Sequence, residues 1–255
     1  MVFMTGTKFS KRVLFLGAFL VVALLSPATL WSAPKVSIGE LALVVRKASI
    51  KTSESAKWEN AKAGQAVSEG AHLKTGKNSR LELKMVDGSV LRLGPSSEIQ
   101  LKSAKFAAGG QKQFSAKVIA GKAWAAVTKL FGFKSFFKLK TSNAVAGVRG
   151  TQFSAALGKD GSSMVKVYSG QVLVSNKRIY AKKGATKKDR VEVAGPQEVS
   201  KKQWNELVAS AMQYITVSAS GKLSEAQSFK VAELPSEKEW EAWNLKRDKD
   251  AGLGD

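Results

Sequence analysis

The sequence predicts an all-β fold, with short antiparallel strands in a sandwich or solenoid-like β domain and a helical tail at the C-terminus. Between about residues 40 and 199, short segments alternate apolar and polar side chains, as strands with one solvated face do. Gly, Asn, Asp and Ser separate these segments, and the chain has 22 Gly against 5 Pro. After residue 200 the alternation gives way to helix-capping signals. No repeat of fixed length is present, so the sandwich and the solenoid both stay open.

The clearest element is a β-hairpin over residues 81–93. Residues 81–86 alternate apolar and polar, Asp87-Gly88 follows, and residues 89–93 form the returning strand. Asp-Gly between two such segments indicates a tight turn, because glycine readily adopts positive φ.

Further strands follow with similar spacing. Residues 117–127 are predicted to form two strands that meet at Gly121. Other predicted strands cover residues 98–101, 136–141, 152–157, 164–168 and 171–175.

The tail is predicted to contain two helices. Ser200 and Gln203 form a capping-box pattern, and the helix they open should run to about Tyr214. Residues 236–239 repeat this pattern after Pro235, with acidic residues in the first turn, where they complement the helix dipole.

The N-terminus reads as an export signal. Lys8, Lys11 and Arg12 precede an uncharged apolar run, and Ser26-Pro27-Ala28 supplies small residues for cleavage after Ala28. The alternative is an uncleaved membrane anchor. In both cases the rest of the chain is expected outside the cytoplasm, either periplasmic or secreted. The predicted organisation is a signal peptide (1–28), a linker (29–39), a β domain (40–199) and a helical tail (200–255).

The charge is strongly basic. The 41 Lys and Arg against 20 Asp and Glu give a formal net charge of +21, which attracts polyanions. In a cell envelope the candidates are lipopolysaccharide phosphates, anionic lipids and acidic wall polymers. Nucleic acid is disfavoured as a partner, because the export signal argues against it and no nucleic-acid-binding motif is present.

The sequence offers little material for catalysis. The absence of cysteine excludes disulfides, thiolate metal sites and a cysteine nucleophile. His72 is the only histidine, and its neighbours indicate a structural role at the start of a strand. No acidic or histidine cluster has metal-ligand spacing. We therefore expect no enzymatic activity, metal or cofactor.

Several short motifs, taken in order, resemble the FecR (ferric-citrate regulator) domain family over about residues 40–200. The motifs are Leu73-Lys-Thr-Gly76, residues 79–83, Asp87-Gly-Ser-Val-Leu-Arg-Leu93, residues 120–123, Val148-Arg-Gly-Thr-Gln-Phe153 and residues 168–172. The resemblance implies an all-β extracytoplasmic domain for sensing or binding. Regulatory members of this family carry a cytoplasmic anti-sigma segment before one membrane span, and the present sequence has no room for one before its apolar run.

The expected protein is thus an exported stand-alone member of the family that binds an envelope protein or an anionic envelope polymer. It would contact the membrane only if the N-terminal segment stays uncleaved. The alternative is a membrane-anchored signalling or regulatory protein with a periplasmic sensor domain.

Five residues are candidates for the motif and interaction sites: Asp87, Arg149, Thr151, Trp240 and Trp243. Arg149 and Thr151 belong to the most distinctive motif, in which Arg149 either ties two layers together through a carboxylate such as Asp87 or Glu82, or anchors a ligand. Trp240 and Trp243 are three residues apart and share a helix face, which either docks the tail onto the β domain or binds a partner.

Two other segments have two interpretations each. Residues 130–137 contain four Phe beside lysines, which indicates buried core or a surface for membrane or acidic glycan. A basic loop is either a solvated turn or a polyanion contact. It comprises Lys182, Lys183, Lys187, Lys188 and Arg190.

Overall fold

The computed structural model describes residues 37–106, 111–129, 135–148, 150–176, 208–230 and 235–253. Most of these residues form β-strands, and one α-helix, α1 (Pro235–Asp250), follows them. The strands are β1 (Ser37–Val45), β2 (Ala48–Lys51), β3 (Glu59–Asn60), β4 (Ala66–Ser68), β5 (His72–Thr75), β6 (Arg80–Met85), β7 (Val90–Leu93), β8 (Glu98–Phe106), β9 (Lys112–Ala126), β10 (Phe136–Lys140), β11 (Ala144–Val148), β12 (Gln152–Leu157), β13 (Ser163–Ser169), β14 (Gln171–Asn176), β15 (Val208–Ser210), β16 (Gln213–Val217) and β17 (Gln227–Ser228).

The strands pair into two sheets that share β9. Sheet A has the order β4-β1-β6-β7-β9-β12-β13-β16-β17. Sheet B has the order β3-β2-β5-β8-β9-β10-β11-β14-β15. All of these pairs are antiparallel except β9 with β10, which run parallel.

Strand β9 crosses from one sheet to the other at Gly121. Residues 112–120 pair with β8 in sheet B, and residues 121–126 pair with β12 in sheet A. Gly121 has a φ of +72°, and a Cβ there would lie 2.7 Å from the carbonyl oxygen of Ser96. Only glycine fits this bend. The prediction of two separate strands about Gly121 is therefore wrong: the chain bends but stays in one strand.

The two sheets enclose a single core. Leu41, Leu83 and Phe153 of sheet A share one buried cluster with Leu73 and Phe137 of sheet B. Shared burial of two inner faces is the arrangement of a β-sandwich. The chain also visits the strands of each sheet in nearly sequential order, which gives the sandwich a solenoid-like progression. The predicted all-β fold is confirmed, as is the hairpin over residues 81–93, where Gly88 has a φ of +83°.

Helix α1 lies on the outer face of sheet A. It follows the capping signal near residue 236 and ends before Gly252, which has a φ of +66° as expected after a helix. The buried face of the helix consists of Trp240, Glu241, Asn244 and Asp248. Three of these four residues are polar, so hydrogen bonds and ion pairs as well as apolar packing hold the helix against sheet A.

The helix predicted from Ser200 to about Tyr214 is wrong over the residues that the structure describes. Val208–Ser210 is β15, which extends sheet B beside β14, and Gln213–Val217 is β16, which extends sheet A beside β13. Pairing with strands already in place supplies backbone hydrogen bonds and burial of Ala209 and Ile215, which outweigh a local capping signal. The β domain consequently begins at Ser37 and continues to Ser228, beyond its predicted limit at residue 199.

Several predictions fall outside the described residues. These are the signal peptide with its cleavage after Ala28, Arg149, Phe131 and Phe133, and the basic loop Lys182, Lys183, Lys187, Lys188 and Arg190. Within the described ranges, no helix is long and apolar enough to cross a membrane.

Candidate functional site

Asp87 and Thr151 both hold the fold together. Asp87 accepts hydrogen bonds from the backbone and hydroxyl of Ser89, at 3.0 and 2.8 Å, and its carboxylate lies 3.3 Å from the Lys112 ammonium. It thereby fixes the β6–β7 turn to β9. Thr151 is 3% exposed, and its hydroxyl donates to the carbonyl of Gln171 at 3.1 Å. Both side chains use their polar atoms in contacts within the protein, so they stabilise the fold and do not form a ligand site.

The sequence predicts that Arg149 connects two layers of the fold through a carboxylate such as Glu82. Among the described residues, two other arginines bind Glu82. Glu82 is bound by Arg92, with Nε 2.6 Å from Oε2, and by Arg247, with Nε 2.7 Å from Oε2 and Nη2 3.0 Å from Oε1. These bonds connect β6, β7 and α1. The role of Arg149 itself stays a prediction.

Trp240 and Trp243 dock the helix onto sheet A, as one of the two interpretations predicted. Their rings stack with centroids 5.6 Å apart. Trp240 is 3% exposed and packs in a second apolar cluster with Trp124 and Tyr168, separate from the main core. The guanidinium of Arg80 lies 4.9 Å from the Trp243 ring centroid, a cation–π contact.

A buried ionic network joins the helix to the sheet beneath it. Arg92 is 1% exposed and binds Asp248, which is fully buried. Asp248 also accepts hydrogen bonds from Trp124 Nε1 at 2.8 Å and Gln152 Nε2 at 2.9 Å. Because one partner comes from the helix and the others from the sheet, the network forms only when the helix is docked.

The two carboxylates of this network titrate in opposite directions. Burial by itself raises the pKa of Glu82, but the hydrogen bonds from Arg247 and Arg92 outweigh it and hold the pKa below the usual range. Burial raises the pKa of Asp248, and the attraction of Arg92 with its hydrogen bonds offsets only part of that effect. Glu82 is therefore the firmly ionised anchor of the network.

Three further acids of the helix pair with cations of sheet A. Glu241 accepts hydrogen bonds from Lys166 Nζ and the Tyr168 hydroxyl, each at 2.8 Å. Burial raises the pKa of Tyr168, and Glu241 adds to the shift. Glu237 binds Lys122 and Glu239 binds Arg80. Four cations of sheet A, Arg80, Arg92, Lys122 and Lys166, are thus paired with carboxylates of the helix.

His72 lies beneath a short loop on the outer face of sheet B. It is 2% exposed, with Nε2 3.0 Å from a Glu54 carboxylate oxygen and the Trp58 ring edge-on at 6.3 Å. Burial lowers its pKa, and the neighbouring Lys51 ammonium lowers it further. A neutral histidine in such a setting is structural, as predicted.

Several lysines of the outer face of sheet B have no carboxylate on their own strand or on the next strands along the sheet toward β15. Strands β9, β10, β11, β14 and β15 contain no acidic residue. Strand alternation directs Lys117, Lys138 and Lys140 outward, because the intervening residues belong to the core. Two outward lysines of the neighbouring strand β8 complete what we call the lysine face: Lys102, Lys105, Lys117, Lys138 and Lys140.

The lysines of the lysine face form no ion pairs with described residues. Two acids lie beside this face: Glu54 is bound to His72 and to Gln100 Nε2 at 2.8 Å, and Glu69 accepts a hydrogen bond from the Ala104 amide at 3.0 Å. Lys117 and Lys140 are direct neighbours in the β9–β10 pairing.

Sequence reasoning missed both the buried network and the lysine face. Glu82 and Arg92 lie in the two strands of the predicted hairpin, at outward positions directly opposite each other. This pairing of opposite charges could have predicted an ion pair on the outer face of the sheet. The lysine face left no such signal, because Lys117 and Lys140 are brought together only by a parallel strand pairing.

The fold and surface define a class: a β-sandwich with a docked C-terminal helix and a cationic sheet face. Residues 71–173 match the model of a family described as FecR protein. This match confirms the resemblance found in the motifs of the chain, over residues 71–173.

Solved structures give a weaker likeness. Two crystal structures of a proposed anti-sigma factor from Parabacteroides distasonis each align with 68% of this chain at 16% identity, with TM-scores of 0.45 and 0.44. The present chain covers 63% and 64% of those chains, less than two thirds of their length. A likeness at this level carries no argument about function. No curated protein matches the sequence.

Proposed function

We propose that this chain is an exported, non-catalytic binding protein of the cell envelope, which contacts an anionic envelope polymer through the lysine face. The observation that carries the proposal is the direct pairing of Lys117 with Lys140 on two neighbouring strands that contain no carboxylate. Like charges at directly opposed positions of two strands destabilise a sheet. A bound polyanion would remove that repulsion.

The distribution of acids supports this choice of surface. The carboxylates of helix α1 pair with cations of sheet A, whereas the five lysines of the lysine face form no ion pair with a described residue. The whole chain also carries a net charge of +21, which adds a field of the same sign. A field of this kind attracts polyanions and weakens as salt increases.

Binding of purified lipopolysaccharide tests the proposal. The double variant Lys117→Gln/Lys140→Gln should bind about tenfold more weakly than the unaltered protein at low salt. The matched control is Lys62→Gln/Lys84→Gln, which removes the same charge from two exposed lysines elsewhere. Its affinity should change less than twofold. Equal losses for both variants would show that only net charge matters and would refute a binding face on sheet B.

Export is tested separately. Cell fractionation with mass spectrometry of the N-terminus should find a periplasmic or secreted protein that begins at Thr29. The family match also favours a second candidate, a membrane-anchored regulatory protein with a periplasmic sensor domain. An intact segment 1–28 in the membrane fraction would establish that candidate in place of the first.

A further inference from the structure

We propose that the lysine face contains a defined phosphate-binding site, formed by Lys117, Lys138 and Lys140 around the hydroxyl of Ser115. This inference rests on the proposed function and names the chemistry of its ligand: a phosphate group carried on an envelope polymer.

The strand register brings these four side chains together. Lys117 is paired with Lys140, and Ser115 is paired with Lys138, across the parallel β9–β10 contact. Neighbouring strands lie about 4.8 Å apart, and positions two residues apart on a strand are separated by about 6.6 Å. The four positions therefore form the corners of a small patch. The long, flexible stems of the lysines can bring three ammonium groups to one ion at its centre.

Ser115 is the part of the patch that points to a ligand. Its neighbours Phe114 and Ala116 face the core, so its side chain lies on the outer side of the sheet. It is 5% exposed, and its hydroxyl has no hydrogen-bond partner within the described part of the chain. A buried hydroxyl without a partner is costly and uncommon in native proteins. An acceptor oxygen held by the three lysines would supply the missing partner.

The Lys138 side chain has open space beside it into which it can move when a ligand enters the patch. Gly147 is paired with Lys138 on the side away from Ser115. Nothing lies within 4 Å of the position that a Cβ at Gly147 would occupy. The Lys138 ammonium rests 4.3 Å from the Phe136 ring centroid, in a cation–π contact rather than an ion pair. It is thus available to a stronger anionic partner.

The geometry favours phosphate over carboxylate. A phosphate monoester offers three acceptor oxygens and a charge of about −1.5 to −2, whereas a carboxylate offers two oxygens and a single charge. Only the phosphate can meet several lysines and still place an oxygen on the Ser115 hydroxyl.

Calorimetric titration with a phosphoserine-rich peptide, which carries phosphate monoesters, and with polyglutamate of matched charge number tests the site. Ser115→Ala should weaken binding of the phosphoserine peptide about tenfold, the effect of one hydrogen bond to a charged oxygen. Its polyglutamate affinity should change less than twofold. The matched control is Ser175→Ala, a half-buried serine on the same sheet face beside Val145, which should change neither affinity. Melting temperatures no lower than that of the unaltered protein would show that both variants are folded, and removal of the unpartnered hydroxyl in Ser115→Ala should raise the value for the free protein.

The outcomes separate this inference from the proposed function. If Lys117→Gln/Lys140→Gln leaves the binding of both polymers unchanged, the proposed function fails and the phosphate site fails with it. If that double variant weakens binding while Ser115→Ala weakens neither polymer, or weakens both equally, only the phosphate site is refuted.

Discussion

Replacing Arg92 by Met tests whether the buried ionic network holds helix α1 on the sheet. Arg92 binds Glu82 through Nε at 2.6 Å and also binds Asp248, and all three groups are nearly inaccessible to water. Removing one partner of a buried ion pair costs about 3–5 kcal/mol, because the other charge stays buried without compensation. Glu82 keeps Arg247, so the uncompensated charge is Asp248.

The loss should appear in the helix before it appears in the sandwich. Trp240 packs in a cluster separate from the main core, so the helix can detach while both sheets remain folded. Hydrogen exchange of the α1 amides should accelerate at least about a hundredfold in Arg92→Met, as a loss of about 3 kcal/mol predicts. The amides of the core strands should change much less.

The control is Arg80→Met, which removes a partly exposed guanidinium that pairs with the exposed Glu239 and lies over the Trp243 ring. An exposed ion pair contributes about 0–1 kcal/mol and an exposed cation–π contact about 0.5–1 kcal/mol, so exchange of the helix amides should accelerate far less than in Arg92→Met. The effect of Arg92→Met should also shrink in acid, because protonation of Asp248 removes the uncompensated charge. Equal exchange rates in the two variants would refute the idea that the network docks the helix.

Two further predictions concern stability. The pKa of Glu82 is lowered on folding, so its contribution is present above the unfolded-state value of about 4.3 and is lost as the pH falls through the lower folded value. The difference in melting temperature between the unaltered protein and Glu82→Gln should therefore be largest above pH 5 and should shrink below it. A difference independent of pH would contradict the assignment of Glu82 as the ionised anchor. Arg149→Ala should lower the melting temperature if Arg149 ties layers together. An unchanged melting temperature with lost binding would instead assign Arg149 to a ligand.

Local sequence patterns predicted an element correctly wherever its conformation depends on residues that are close together in the sequence. The alternation of residues 81–86 and 89–93 with Asp87-Gly88 between them predicted a hairpin that the structure contains. The capping signal after Pro235 likewise predicted α1. In both cases the determining forces, turn geometry and helix capping, act over a few residues.

Predictions failed where a distant strand decides the conformation. The Ser200 capping pattern favoured a helix to Tyr214, yet residues 213–217 join β13 and become a strand. A strand gains its hydrogen bonds only from a partner, and here that partner lies far away in sequence. Gly121 was read as a break between strands, although the bend there carries one strand from sheet B into sheet A.

The sequence by itself determined the fold class, the family resemblance and the excess of positive charge. Only the tertiary structure decided where that charge is left unbalanced. Pairing between helix α1 and sheet A occupies one set of cations, and the β9–β10 register places Lys117 against Lys140 on the opposite sheet. The physical reason is that composition fixes the number of charges, whereas their interactions depend on distances that only strand pairing and helix docking set.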